Sequence, residues 1–477
     1  MQFKKKLDAV SPSFCLAKWK QVTIHLQTGH THSCHHPLSH KVPTHELHDN
    51  PSALHNTEFK KKQREMMLKG ARPKECGYCW TMEDAGPGDL LSDRVFKSAE
   101  PWAIDSLQEV ATMPFDTNIL PSYVEVSFSN VCNFKCSYCS PHSSSAWHEE
   151  IRKHGPYPTS DHFNNLPYLR WVGRLPKRTT TQNENANAHL ASWRKWWPEL
   201  SPKLKVFRIT GGEPLLSKET FRVLENICEK PLPALELGLN SNLCVPEKIF
   251  NQFLKVAKDL QELEKVKALT VFASIDTYGE QAEYVRFGLD HRQFFRNVDR
   301  LLETCPKIQI VIMCTFNALS PFQFKKLLQH IVETKKRYET TSYPEEKSRL
   351  TLDISYLRSP PHQALPVLGG RFNHLLKESY DYMVAQPSFG KIELEKMRRL
   401  LVWAQDTAEA TDQELRRKDL MLFVAEHDRR RGTDFLKTFP ELKEFCEEHG
   451  LRKLAEDSWR RVAKKAFHRA LGWMASR

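Results

Sequence analysis

From residue 121 onward, short apolar runs alternate with amphipathic stretches, and this alternation constrains the fold more than any other feature of the sequence. Runs at Tyr123–Phe128, Lys205–Ile209, Ala234–Leu239, Leu269–Ile275, Ile308–Cys314 and Leu350–Tyr356 have the length and apolar content of buried strands. Between them, Lys218–Cys228, Pro246–Lys258, His291–Thr304 and Phe322–Lys335 carry apolar residues at helical spacing. Strand followed by helix, repeated, predicts a parallel sheet in an α/β fold. Six such units make a partial (β/α)6 TIM-like barrel, whose working groups stand at the C-terminal ends of the strands.

The rest of the 477 residues fall around this block. Residues 1–100 are rich in Cys, His and Lys and poor in long apolar stripes, which suggests a small metal-binding module stapled by its ligands. A connector leads to the barrel at 121–365. A Trp-rich insertion at 140–203 carries Trp147, Trp171, Trp193, Trp196 and Trp197 and a polar run at Thr179–Asn187. Residues 371–477 read as helical.

The net charge is +12, spread along the chain. A solvated basic surface explains it; nucleic acid is a possible but not a favoured partner. No apolar run approaches the roughly 20 residues of a membrane helix, and no secretory leader follows the basic start. A soluble cytoplasmic protein is expected.

Seven of the twelve cysteines form two spaced sets. Cys132, Cys136 and Cys139 follow the first strand directly, spaced C-x3-C-x2-C. In a reducing compartment such sets are metal ligands more often than disulfides. Three thiolates on one loop suit three irons of a cubane and leave the fourth with an open position. A zinc knuckle is the alternative, although zinc sites favour four ligands in pairs. Cys15, Cys34, Cys76 and Cys79 form the second set.

The first set resembles the signature of the radical SAM superfamily, including the aromatic Tyr138 before the last cysteine. Gly211-Gly212-Glu213-Pro214, at the end of the next strand, is similar to that superfamily's GGEP motif. The resemblance continues through Asn242, through Ser274-Ile275-Asp276, which is similar to a Ser-Ile-Asp strand end, and through Tyr284-Val-Arg286-Phe-Gly288. It covers about residues 121–360. It implies a [4Fe–4S] cluster on Cys132, Cys136 and Cys139 that binds S-adenosylmethionine (SAM), with Tyr138 near the adenine. Gly211 and Gly212 would give close backbone approach, and Glu213 would take the methionine ammonium. Ser274 would bond ribose or carboxylate, Arg286 would pair with the carboxylate, and Asp276 would position substrate or take a proton. Asn242 stands where relatives carry a Thr-Asn-Gly-like strand end.

The second set, with its Cys15-x13-Gly29-x4-Cys34 spacing, resembles the auxiliary-cluster module of SPASM and twitch proteins. Here it precedes the barrel instead of following it. Four thiolates would complete a second [4Fe–4S] cluster with no open position. A zinc site drawing on His25, His30, His32, His35, His36 or His40 is the competing reading.

The resemblance implies an enzyme of the oxidoreductase or maturase type, fed by a flavodoxin- or ferredoxin-type electron donor and making a 5′-deoxyadenosyl radical. A peptide or protein substrate is expected, with a small molecule or RNA as alternatives. A non-enzymatic Fe–S or zinc protein that binds a partner is the alternative of another class.

Overall fold

A computed structural model of the chain describes residues 2–85, 91–176, 187–338, 348–406 and 412–450. In chain order the strands are β1 (Gln21–His25), β2 (His30–His32), β3 (His40–Lys41), β4 (Tyr123–Ser127), β5 (Lys135–Cys136), β6 (Val206–Thr210), β7 (Leu232–Ser241), β8 (Val266–Ser274), β9 (Arg286–Phe287), β10 (Gln309–Phe316) and β11 (Leu350–Tyr356). The chain divides into two compact units. The first comprises Met1–Val131, Pro176–Ser241 and Glu247–Val271; the second comprises Cys132–Leu175, Asn242–Pro246 and Phe272–Arg477.

In the first unit the strand order is β8-β7-β6-β4-β1-β2-β3. Strands β1, β4, β6 and β7 run parallel, and β2 and β3 complete the edge as antiparallel additions. In the second unit β10 pairs in parallel with β11. This is the α/β architecture with parallel strands expected of a TIM-like barrel. All six expected strands are present, β11 with the bounds read from sequence. The expected helices appear as Lys218–Glu229, Glu247–Glu262, His291–Thr304 and Pro321–Tyr338.

The N-terminal segment contributes a strand that its sequence pattern does not announce. β1 lies alongside β4 with Gln21 level with Tyr123 and His25 level with Ser127. Its first four residues are all buried, as in a parallel strand covered on both faces. The segment also contributes to a buried apolar cluster. Leu7, Phe14, Leu16, Trp19, Met67 and Trp80 are buried together with Val110 and Ile119, and the N-terminal ends of β4 and β6, Tyr123 and Val206, pack against them. The β1–β2 turn requires Gly29, whose φ is +66°; a Cβ there would run into the His189 ring at 2.3 Å.

The insertion contains helices Ser145–His154, Leu166–Trp171 and Ala188–Leu200. Its tryptophans are mostly core residues. Trp147, Trp193, Trp196 and Trp197 are buried, and Trp193 and Trp197 pack on Phe207 of β6; only Trp171, 82% exposed, faces solvent. Most of the polar run falls in 177–186, outside the described residues. The C-terminal region is helical as far as it is described, with helices Asn373–Val384, Lys391–Asp406 and Gln413–Arg431; 451–477 lie outside. Among the described residues no helix is long and apolar enough to cross a membrane.

Because Ile24 is fully buried in β1, Ile24→Ala should cost about 2–5 kcal/mol. Chemical denaturation followed by tryptophan fluorescence measures it. A change near zero would mean that β1 is not part of the sheet core.

Candidate metal centres

The loop of Cys132, Cys136 and Cys139 belongs to the second unit, and its main chain is held on several sides. β5 pairs antiparallel with β9, Lys135 opposite Phe287 and Cys136 opposite Arg286. The Ser137 N–H donates to the Val285 carbonyl at 2.7 Å, and the Cys139 N–H to the Cys136 carbonyl at 2.9 Å. Trp147 Nε1 donates to the Cys136 carbonyl at 2.8 Å, and Gln363 Nε2 to the Ser137 carbonyl at 3.0 Å. Asn133 Nδ2 donates to the Cys244 carbonyl at 2.8 Å, and Asn242 Nδ2 to Asn133 Oδ1 at 2.9 Å. Gly288 makes the strand pairing possible. Its φ is +111°, and a Cβ there would approach Phe134 to 2.9 Å and the Asn133 carbonyl to 3.0 Å.

With the backbone so committed, the three thiols are partly buried and unbridged. Burial pushes the Cys139 thiol up to about 12, and the neighbouring Cys136 adds to this; Cys136 is raised as well. A bound cation reverses that preference, because metal ligation requires thiolates. Three unbridged thiols on one anchored loop match in number the three-thiolate ligand set of a [4Fe–4S] cluster.

Behind the loop lies a buried ion pair. Arg286 Nη2 donates to Asp276 Oδ1 at 2.8 Å and Nε to Oδ2 at 2.9 Å. The Tyr138 hydroxyl donates to Oδ2 at 2.7 Å and the Thr315 N–H to Oδ1 at 2.9 Å. Burial alone would push the Arg286 guanidinium down, but Asp276 outweighs it and keeps Arg286 charged. Arg286 Nη1 reaches to 3.9 Å from Cys136 Sγ, and its guanidinium lies 5.7 Å from the Tyr138 ring centre. Asp276, with four donors on its two oxygens, is a positioning group in this arrangement. Ser274 stands half-buried at the end of β8.

The Cys loop has a further support that sequence reasoning missed. Arg431, at the end of helix Gln413–Arg431, donates to the Lys135 carbonyl at 2.8 Å and pairs with Glu150, which also binds Lys135. Burial pushes the Glu150 carboxyl up, but Arg431 and Lys135 outweigh it and bring it to about 2. These contacts join residues far apart in sequence, and no local spacing signals them.

In the first unit, Gly211, Gly212 and Glu213 follow β6 and dock on the chain leaving β4. The Gly212 N–H donates to the Ser129 carbonyl at 3.1 Å and the Glu213 N–H to the Val131 carbonyl at 2.7 Å. A Cβ on Gly212 would stand 2.4 Å from the Val131 carbonyl oxygen; one on Gly211 would stand 2.8 Å from that of Ser129 and 3.0 Å from Ser127 Oγ. The glycines thus permit a close approach to the chain entering the Cys loop. Glu213 is buried; its Oε1 accepts from Ser241 Oγ at 2.9 Å and from the Leu215 N–H at 3.0 Å.

Cys15, Cys34, Cys76 and Cys79, which span 64 positions of sequence, line one pocket in the first unit. Cys15 precedes the short helix that feeds β1, Cys34 follows β2, and Cys76 and Cys79 flank the start of helix Gly77–Asp84. Burial pushes Cys76 and Cys79 up to about 12; Lys18 opposes it at Cys76 and Cys15 adds to it at Cys79. Four convergent thiols again fit a metal centre. Of the six histidines that could serve a zinc site, His36 also lines the pocket, bonded to Asp93 at 2.7 Å and joined there by His35 at 3.4 Å. His25 and His32 face each other at 3.4 Å, His30 bonds the Thr28 carbonyl, and His40 bonds Thr57.

Residues 126–321 match the Radical SAM superfamily model. The matched stretch, less than half of the chain, is thus similar to that superfamily. The chain is also similar to a GTP 3′,8-cyclase of Psychromonas ingrahamii, at 31% identity over 109 residues. That alignment covers 23% of this chain and 22% of the relative, so the chain spans well under two thirds of the relative's length.

Asp276→Asn leaves a buried guanidinium without its counter-charge and should cost about 3–5 kcal/mol; a stability loss under 1 kcal/mol in denaturation would contradict the pairing. Glu150, held at about 2 in the fold, contributes stability above its ordinary pKa of 4.5 that is lost as pH falls toward 2. Glu150→Gln should therefore flatten the acid limb of a stability-versus-pH curve, and an unchanged limb would remove this role.

Proposed function

We propose that the chain is a radical SAM enzyme holding a [4Fe–4S] cluster on Cys132, Cys136 and Cys139 and abstracting hydrogen from an organic substrate. The observation that carries this reading is the anchored Cys loop, with its backbone groups engaged, its thiols unbridged, and Arg286 beside Cys136 Sγ. When bound, the cluster supplies one electron to SAM, whose S–C5′ bond breaks to give methionine and a 5′-deoxyadenosyl radical.

The chain's own residues prepare that site. Asn133 and Asn242 fix the loop on the segment after β7. Asp276 orients Arg286 and Tyr138, so its assigned role is positioning in place of the proton transfer suggested by the sequence. By the resemblance, Glu213 takes the methionine ammonium, with Gly211 and Gly212 beside it, and Ser274 and Arg286 serve the ribose and carboxylate.

We further assign Cys15, Cys34, Cys76 and Cys79 to a second, auxiliary [4Fe–4S] cluster of the twitch/SPASM type. The shared pocket and the hairpin turn at Gly29 between the first two cysteines support it. Held by these four thiolates, such a cluster would supply a one-electron acceptor for a substrate radical, which would make the net reaction an oxidation or crosslink. The SAM-binding cluster would draw its electron from a flavodoxin- or ferredoxin-type donor. For the substrate we favour a peptide or protein. A small molecule is the second reading, favoured by the name of the cyclase relative.

The test is anaerobic reconstitution of the full chain. About eight irons and dithionite-dependent 5′-deoxyadenosine are expected from two cubanes of four irons each. A combined replacement of Cys132, Cys136 and Cys139 by Ala should abolish 5′-deoxyadenosine and halve the iron. Replacing Cys15 and Cys34 should halve the iron while leaving SAM cleavage. Zinc without SAM cleavage would overturn the reading.

A further inference from the structure

The pocket of Cys15, Cys34, Cys76 and Cys79 occupies a defined edge of the sheet. Cys15 precedes β1, and Cys34 follows β2, which runs back antiparallel so that His32 is level with Thr23. Both cysteines thus stand at the N-terminal edge of the parallel strands. Tyr123 and Val206, the first residues of β4 and β6, pack with Cys15 and Cys76 in the same apolar cluster. The opposite edge carries Ser127 and Thr210, from which the Gly211-Gly212-Glu213 turn departs. Five-residue strands of about 3.3 Å per residue separate the two edges by roughly 16 Å.

The walls of this pocket are cationic. Lys18, Arg94 and Lys97 line it, against one carboxylate, Asp93. Arg94 is already paired with Glu83 and Asp8. Lys18 differs from a surface lysine in that its side chain is 2% exposed and pairs with Glu75, the residue before Cys76. It lies three residues after Cys15, on the helix that feeds β1. Behind it, Lys60 and Arg64 are fully buried, their hydrogen bonds going to His55, Asn56 and main-chain carbonyls. Four thiolates around a [4Fe–4S]2+ core carry a total charge of −2, and one added electron makes it −3. Buried positive charge within a low-dielectric wall stabilises the second state more than the first.

We propose that Lys18 tunes this centre: its buried ammonium, held by Glu75 against the cysteine wall, raises the reduction potential of the four-thiolate cluster so that it accepts an electron. This rests on the Fe–S reading of the second set of cysteines. In the electron balance, a carbon-centred substrate radical loses one electron to the cluster and one proton to solvent; the oxidised core gains the electron and no bond to the cluster forms. Lys18 is a positioning charge and not a catalytic residue.

The experiment uses the full chain with Cys132, Cys136 and Cys139 replaced by Ala, so that one cluster alone gives the signal. Iron content is measured first, then the potential by an anaerobic redox titration monitored by electron paramagnetic resonance. Lys18→Met should retain about four irons and weaken reduction at least tenfold, a downward shift of about 59 mV for one electron. Lys18→Arg should restore the parent potential. Glu75→Gln, which strips Lys18 of its counter-charge, should shift the potential upward, and this variant decides the matter should Lys18→Met fail to hold iron. An iron-loaded parent whose potential ignores Lys18→Met, or in which Glu75→Gln shifts it downward, overturns the role of Lys18. A parent without iron removes the second cluster itself and, with it, the basis of the proposal.

Discussion

The buried pair of Asp276 and Arg286 is the interaction on which the second unit's site depends. It joins the end of β8 to the β5–β9 ladder, takes in Tyr138 from the Cys loop and Thr315 from β10, and leaves one guanidinium nitrogen beside Cys136. A buried ion pair of this kind is weak evidence for stability, since desolvation consumes most of its attraction. Its value lies in orientation, because a bidentate Arg–carboxylate contact has one geometry. The loop it serves has little regular structure of its own, and without external anchors three thiols on such a segment would not hold a fixed arrangement.

Parallel strand register supplies the second constraint. With β1, β4 and β6 level at both ends, motifs that follow a strand gather at one edge and residues that precede a strand gather at the other. The N-terminal segment is thereby built into the first unit's sheet and core, so a module that precedes the barrel in sequence does not have to lie apart from it.

Much of this was legible in the sequence because it is local. The six strands, four helices, the C-x3-C-x2-C loop and the Gly-Gly-Glu turn each announce themselves within a few residues. β1 was not legible, since Gln21-Val-Thr-Ile lacks the long apolar run of the other strands and acquires its burial from β4. Of the insertion's tryptophans, Trp193 and Trp197 pack on Phe207 while Trp171 is exposed, because aromatic content says nothing about which way a side chain faces. The four donors that meet Asp276, read from sequence as positioning substrate or taking a proton, come from residues distant in sequence and are revealed only in space. Arg431, Glu150 and Lys18 act through long-range contacts or burial that no spacing records.

The account's central claim is that Cys132, Cys136 and Cys139 hold a cluster with an iron open to SAM. The most direct measurement is electron paramagnetic resonance of the reduced protein with Cys15 and Cys34 replaced by Ala, recorded with and without SAM. The account predicts a [4Fe–4S]+ signal whose g-values change when SAM is added, because SAM enters the iron's coordination shell. A signal unaltered by saturating SAM, or no cluster signal at all, would contradict it.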